Sequence, residues 1–284
     1  MKLLRIGPAG GERPAAIDSA GRLVDLSGVT GDIDGVFLSG DGPALVRAAL
    51  VAGDLPVLAP DGLRIGAPVA RPGKVVCIGL NYRDHAAETG AKLPAEPVIF
   101  FKDPGTVIGP NDEVLIPRLS QQTDWEVELA VVIGRRARYL ESVTDALDCV
   151  AGYAITNDVS ERHFQIERGG QWVKGKSCET FNPLGPWLVT PDEIDDPQRL
   201  GLRLWVNGVR RQNGTTANMV FGVAEIIHYV SQFMVLEPGD VVNTGTPAGV
   251  ALGQPEPKPY LRQGDVMELE VDGLGRQRQQ LGQA

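Results

Sequence analysis

Three carboxylates at two-residue spacing, Asp124, Glu126 and Glu128, run without a break into Leu129-Ala130-Val131-Val132-Ile133, which is apolar on both faces of any strand it forms. Such a run reads as a strand covered on both sides. Alternate residues of a strand share a face, so Glu126 and Glu128 point the same way, at the mouth of a dry interior. Two like charges there repel each other and lose hydration, a cost that a cation between them removes. A hard metal ion is the simplest resolution. The plainer alternative, a strand whose charged face is merely solvated, suits an ordinary E-x-E pattern but leaves the two-sided apolar continuation unexplained.

The 284 residues suffice for one large domain or one domain with a small appendage. Residues 1 to about 70 hold short alternating segments and one helical pattern from Pro43 to Ala52, with Gly53 just past its end, followed by a Pro-rich stretch. They read as a small N-terminal domain, residues 1–70. From Lys74 the texture becomes short β runs separated by Gly, Pro, Asn and Asp: Val75 to Ile78, Val98 to Phe101, Glu113 to Ile116, Trp125 to Ile133, Val150 to Thr156, Leu202 to Val206, Val241 to Thr244 and Val266 to Val271. One clear amphipathic helix spans Val223 to Phe233, with Val223, Ile226, Ile227 and Val230 on one face. The expected class is mainly β (α+β), with residues 71–284 forming the larger, β-rich domain.

Composition narrows the function. A net charge of −9 gives no basic footprint for a phosphate backbone, so nucleic acid is not an expected partner. No run approaches the roughly 18 apolar residues of a membrane span, and the start lacks the apolar core of a signal peptide, so a cytoplasmic address is expected. Cys77, Cys149 and Cys178 are odd in number and lack C-x-x-C spacing, which argues against disulfides and structural zinc. One motif misleads: Gly170 to Ser177 satisfies the phosphate-loop pattern G-x-x-x-x-G-K-[ST], yet the following Cys178 to Pro186 cannot start the helix that such a loop needs.

Other residues supply compatible chemistry. Asp158 ends an apolar strand and can project beside Glu126 and Glu128; three oxygen ligands suit magnesium, manganese or calcium better than zinc. Arg162 and Gln165 follow closely enough to return over the same rim, although each alone also fits an ordinary surface position. Gly79 to Gly90 reads as a short capped helix with His85 and Glu88 on one face, a pair suited to activating water and equally describable as an exposed helical ion pair. So short a helix is expected to order over bound substrate as a lid. Asn243 to Gly249 follows a strand with small residues whose amides, at Gly245 among others, and whose Thr246 hydroxyl can hold a carboxylate; a plain Gly-Pro turn is the alternative.

Together these residues resemble the fumarylacetoacetate hydrolase family from about Lys74 to the C-terminus. The resemblance rests on Gly79-Leu80-Asn81-Tyr82 with His85-x-x-Glu88, Phe100-Phe101-Lys102, Asp124-x-Glu126-x-Glu128, Asn157-Asp158-Val159-Ser160 with Arg162 and Gln165, Gly175-Lys176-Ser177, and Thr244-Gly245-Thr246-Pro247-x-Gly249. It implies a mixed β-roll, a homodimer, and Mg2+ or Mn2+ (Ca2+ in crystals) held by Glu126, Glu128 and Asp158. It also implies that His85 and Glu88 activate water, that Lys176 and Arg162 meet the acidic substrate or developing oxyanion, and that Gln165 and Thr246 bind substrate. Where many relatives carry Ala-Arg-Asp, this chain has Glu161-Arg162-His163, which keeps the arginine and changes its neighbours. The wording of the 123–129 and 157–162 segments is similar to the branch of 2,4-diketo-3-deoxy-rhamnonate and fuconate hydrolases and ureidoglycolate lyase-like proteins. The expected substrate is a small 2-oxo acid, best L-2,4-diketo-3-deoxyrhamnonate cleaved to pyruvate and lactate. Ureidoglycolate cleavage, oxaloacetate decarboxylation and a non-enzymatic metal-binding module are the alternatives.

Overall fold

A computed structural model describes residues 1–59 and 62–284. Its organising element is the strand Val127–Ile133, buried along its whole length. Antiparallel neighbours flank it, Val150–Asn157 on one side and Val241–Asn243 on the other. Val127, Leu129, Val131 and Ile133 face one core; Ala130 and Val132 face a second, beside Val75, Cys77, Ala154 and Leu184. This two-sided cover makes the apolar run continuous instead of alternating. It also puts Glu128 on the even-numbered face, just past the point where that core ends.

The sheet runs Leu23–Asp25, Arg13–Ile17, Lys2–Ile6, Asn182–Val189, Val150–Asn157, Val127–Ile133, Val241–Asn243, Val75–Gly79 and Val98–Lys102. Most of its pairs are antiparallel, but Val241–Asn243 and Val75–Gly79 are parallel, so the sheet is mixed. A second sheet, in the order Val209–Thr215, Gly201–Val206, Val266–Val271, Gly275–Gln283 and Val114–Ile116, packs Leu202, Leu204, Met267 and Leu269 into the first core. The helix Val223–Ser231 closes that core with the predicted face of Val223, Ile226, Ile227 and Val230. The fold is mostly β, as the β runs indicated, with strand limits shifted by a residue or two.

Residues before Lys74 add strands to the same sheet: Lys2 and Leu3 pair with Val189 and Leu188. Ion pairs of Arg5 with Asp32 and of Arg64 with Glu12 and Asp112 bind this segment together and to the body. Its helix Gly42–Ala52 ends at Gly53 in the left-handed conformation, as the composition suggested.

Because Leu129 is fully buried at the centre of this arrangement, Leu129→Ala should lower unfolding free energy by about 2–5 kcal/mol in urea titrations. A loss below about 1 kcal/mol would mean that the strand is less tightly enclosed than described.

Candidate metal centre and active site

The strand register assembles the acidic cluster. Val127 pairs with Asn157, so the residues just outside the pair, Glu126 and Asp158, come level, and the Asp158 amide donates to the Glu126 carbonyl at 2.9 Å. Glu128 lies one pleat further in on the same face. Carboxylate oxygens of Glu126, Glu128 and Asp158 fall within 4.8 Å of one another, and all three side chains are buried.

Cations surround this cluster unevenly. Lys176 Nζ bridges Glu126 Oε2 at 2.7 Å and Asp158 Oδ2 at 2.9 Å. Lys102 Nζ meets Asp158 Oδ1 at 2.5 Å, and Arg162 Nη2 meets Glu126 Oε1 at 2.7 Å. Arg162 also donates through Nε to Asp124 and through Nη1 to the Gln165 side-chain oxygen. Asp124 in turn accepts from the Ala251 and Leu252 amides, which ties the arginine to the 251–253 turn. Glu128 receives one amide hydrogen bond, from Gly245 at 2.7 Å, and among the described residues no cation is paired with it.

The electrostatics follow from that inequality. Burial pushes the Glu126 carboxyl up, but Lys176 and Arg162 overcome it and hold the group at about 2. Burial also pushes Glu128 up, and there Asp158 and Glu126 add to it, so this carboxyl stands well above the usual carboxylate range. Burial opposes the Lys176 ammonium, but Asp158 and Glu126 outweigh it and keep the proton on. Four buried carboxylates, Asp124, Glu126, Glu128 and Asp158, thus face three buried cations, Lys102, Arg162 and Lys176. An all-oxygen cluster with one uncompensated negative charge fits a hard divalent cation.

Across the cavity, the helix Arg83–Thr89 ends in a left-handed Gly90, as expected, and carries the His85 and Glu88 pair. His85 Nδ1 and Glu88 Oε1 are 2.8 Å apart, and Glu88 Oε2 accepts from the Gly249 amide at 2.8 Å. The pair is half-buried to buried, so it is no exposed helical ion pair. With Nδ1 donating to the carboxylate, Nε2 is the nitrogen left to accept a proton.

These groups share one cavity of about 200 Å3. His85, Glu126, Glu128, Arg162, Gln165, Lys176, Gly245 and Thr246 line it. Two assignments made from the sequence change in detail. The Gly245 amide is given to Glu128, and the Thr246 hydroxyl donates to the Val127 carbonyl while accepting from Gln212, so each braces the cluster. Around the phosphate-loop look-alike, the helix Val173–Lys176 has four residues and no strand before it. Gly175 packs so closely that a Cβ there would lie 2.4 Å from the Glu161 carbonyl, which is how the turn delivers Lys176 to the cluster.

Sequence reasoning gave Lys102 no role beyond membership of a motif, although a lone lysine ending an apolar strand was a usable signal. It also missed the cavity wall formed by Leu80, Phe100, Ile166, Trp172 and Leu252. Leu80 has φ of 53°, a left-handed conformation that costs a leucine on the order of 1–2 kcal/mol and that sequence does not reveal.

Comparison with known proteins accords with this geometry. The family model described as the fumarylacetoacetate (FAA) hydrolase C-terminal domain matches residues 74–282. The chain belongs to the fumarylacetoacetate hydrolase family. A Burkholderia cenocepacia protein named "Putative hydrolase" is 53% identical over 279 residues, covering 98% of each chain. Among solved structures, a maleylpyruvate hydrolase from Sphingobium sp. SYK-6 superposes with a TM-score of 0.83 at 29% identity, covering both chains fully. A 2-hydroxyhepta-2,4-diene-1,7-dioate isomerase from Mycobacterium marinum gives 0.78 at 32% identity, covering 100% of this chain and 98% of the other. Membership carries the coarse activity with it, that of a family hydrolase or isomerase acting on keto acids. Among the described residues, no helix is long and apolar enough to cross a membrane.

The imbalance at Glu128 has a measurable sign. A carboxyl whose value is raised on folding binds more protons in the native state, so metal-free stability falls as pH rises from the ordinary carboxylate value through the raised one. Glu128→Gln should therefore raise the melting temperature of metal-free protein at pH 8 and flatten its pH dependence. Magnesium should raise the melting temperature of the parent, and the same variant should lose that shift. A metal-free variant that melts lower than the parent at pH 8 would contradict the uncompensated charge.

Proposed function

We propose that the protein is a divalent-metal-dependent hydrolase that cleaves a carbon–carbon bond of a 2,4-diketo acid. The observation that carries this reading is the facing of the three-carboxylate cluster and the His85–Glu88 pair across one small cavity. Glu126, Glu128 and Asp158 would hold magnesium or manganese. The bound ion would supply Lewis-acid stabilisation of negative charge on the 2-oxo group.

His85, oriented by Glu88, takes a proton from water as the oxygen adds to the C4 carbonyl. The Lys176 ammonium and the Arg162 guanidinium offer hydrogen-bond donors to the oxyanion that forms, in a site where water is largely excluded. Collapse of that oxyanion breaks the C3–C4 bond and releases a carboxylic acid. The electron pair of the broken bond passes into a pyruvate enolate, which is protonated at C3 to give pyruvate. Gln165 would hold substrate through the half of its amide not engaged by Arg162. The finer reading, from the wording of the 123–129 and 157–162 segments, is L-2,4-diketo-3-deoxyrhamnonate, with lactate as the second product.

In a pyruvate-release assay, His85→Ala should lower kcat by about 100-fold or more, with magnesium affinity by calorimetry unchanged. Full activity in that variant would remove the proposed base. Glu126→Gln should weaken magnesium binding instead, and an unaltered titration would count against its place among the ligands. Oxaloacetate consumed faster than any diketo acid would replace hydrolysis with decarboxylation.

A further inference from the structure

The strand Val209–Thr215 lies at the edge of the second sheet and is largely open to solvent, yet one residue in it, Gln212, is fully buried. Burying an amide is costly unless partners replace the hydrogen bonds it made to water. A β-bulge precedes it. Leu204 pairs with Gln212 and Trp205 with Arg210, so Arg211 is the extra residue, a feature that bends a strand and re-aims its side chains. The turn after Asn243 closes on the same place: a Cβ on Gly249 would run into the Arg211 carbonyl, and one on Gly214 into the Pro247 ring.

The Gln212 side-chain oxygen accepts from the Val127 amide at 2.9 Å, and its nitrogen donates to the Thr246 hydroxyl at 2.7 Å and to the Pro247 carbonyl at 2.8 Å. Thr246 donates in turn to the Val127 carbonyl at 2.9 Å, which closes a ring of hydrogen bonds. The reverse orientation of the amide would set donor against donor at Val127 and acceptor against acceptor at Pro247, so the direction of the ring is fixed. Val127 stands between Glu126 and Glu128 in the chain. The strand Val241–Asn243 pairs only with Ala130, Val131 and Val132, and Thr244 then reaches the Leu129 carbonyl through its amide and its hydroxyl. Past that point, among the described residues, no strand covers this edge, and Gln212 with Thr246 holds the backbone in its place.

With both the N–H and the C=O of Val127 held, the peptide units on either side of it are locked against rotation. The points from which the Glu126 and Glu128 side chains start are thereby set relative to each other. We propose that Gln212 is a positioning residue that fixes this spacing for a small cation and so raises the preference of the centre for magnesium over calcium. The proposal rests on the reading of Glu126, Glu128 and Asp158 as metal ligands. Magnesium demands near-ideal octahedral geometry at about 2.0–2.1 Å, whereas calcium accepts irregular sets of oxygens at about 2.3–2.6 Å. Loosening the spacing therefore harms magnesium more than calcium. Hydrogen-bond partners behind the ligands commonly carry about 10–100-fold in metal affinity.

The test is calorimetric titration of the metal-free, full-length protein with magnesium and, separately, with calcium. Gln212→Met keeps the length of the side chain and loses its hydrogen bonds. It should raise the magnesium Kd about tenfold or more and the calcium Kd by less than about threefold, so that the preference for magnesium falls. Gln212→Asn keeps an amide among the same polar groups but withdraws it by one methylene; it should move the ratio in the same direction, and it serves where the methionine variant does not fold. Thr246→Val should lower the ratio too, and Thr246→Ser, which retains the hydroxyl, should restore it. Partial unfolding lowers the stoichiometry of a titration and leaves the ratio of the two constants unchanged. A ratio within about threefold of the parent's in the folded Gln212 variants, whether both affinities hold or both weaken together, overturns the inference and leaves the metal centre standing, as does a parent-like ratio in Thr246→Val. A parent protein that binds neither cation removes the metal reading, and this inference with it.

Discussion

The architecture around the site depends on one imbalance of buried charge. Asp124, Glu126, Glu128 and Asp158 are drawn into a dry interior with Lys102, Arg162 and Lys176, and the cations do not suffice. Removing one partner from such a network leaves an uncompensated charge, a change that typically costs several kcal/mol. Here the shortfall exists in the intact chain and is concentrated on Glu128, whose neighbours of like charge reinforce the effect of burial. That places the instability of the cluster where a divalent cation, once bound, would relieve it.

The sheet makes that placement possible. The strand Val127–Ile133 is enclosed on both faces, so Glu128 cannot turn to solvent without moving the strand out of its pairing with Val150–Asn157 and Val241–Asn243. The turn after the latter strand returns the Gly245 amide and the Thr246 hydroxyl to Glu128 and to the Val127 carbonyl. The same turn sends the Gly249 amide to Glu88. One connection therefore braces both the acidic cluster and the His85–Glu88 pair across the cavity, and the relative position of the two halves is fixed by hydrogen bonds to a common segment.

Much of this was legible in the chain because the signals were local. Period-two spacing at 126 and 128, an apolar run beyond them and an aspartate ending another strand put three carboxylates at one rim. The spacing of His85, Glu88 and Gly90 described a short closed helix. What escaped was long-range or disguised. The strand Gly275–Gln283 has no apolar alternation because its buried positions include Gln277 and Gln279, whose amides donate to carbonyls of Ile155, Gly185 and Pro110. The strand Asn182–Val189 contains two prolines and a glycine, residues that ordinarily argue against an interior strand. The apolar wall draws on five separate parts of the sequence; Leu80 and Phe100 stand in motifs already noted, but nothing local joins them to Ile166, Trp172 and Leu252. Arg162 read as a rim residue, whereas Asp124 and Glu126 hold it inside.

The central claim is that Glu126, Glu128 and Asp158 together grip one divalent cation. Anomalous diffraction from crystals grown with manganese tests it most directly. The account predicts a single strong peak among these three carboxylates, with Lys176 still beside them. Density showing no peak there, and the Glu128 carboxyl paired with a lysine or turned out to solvent, would contradict it.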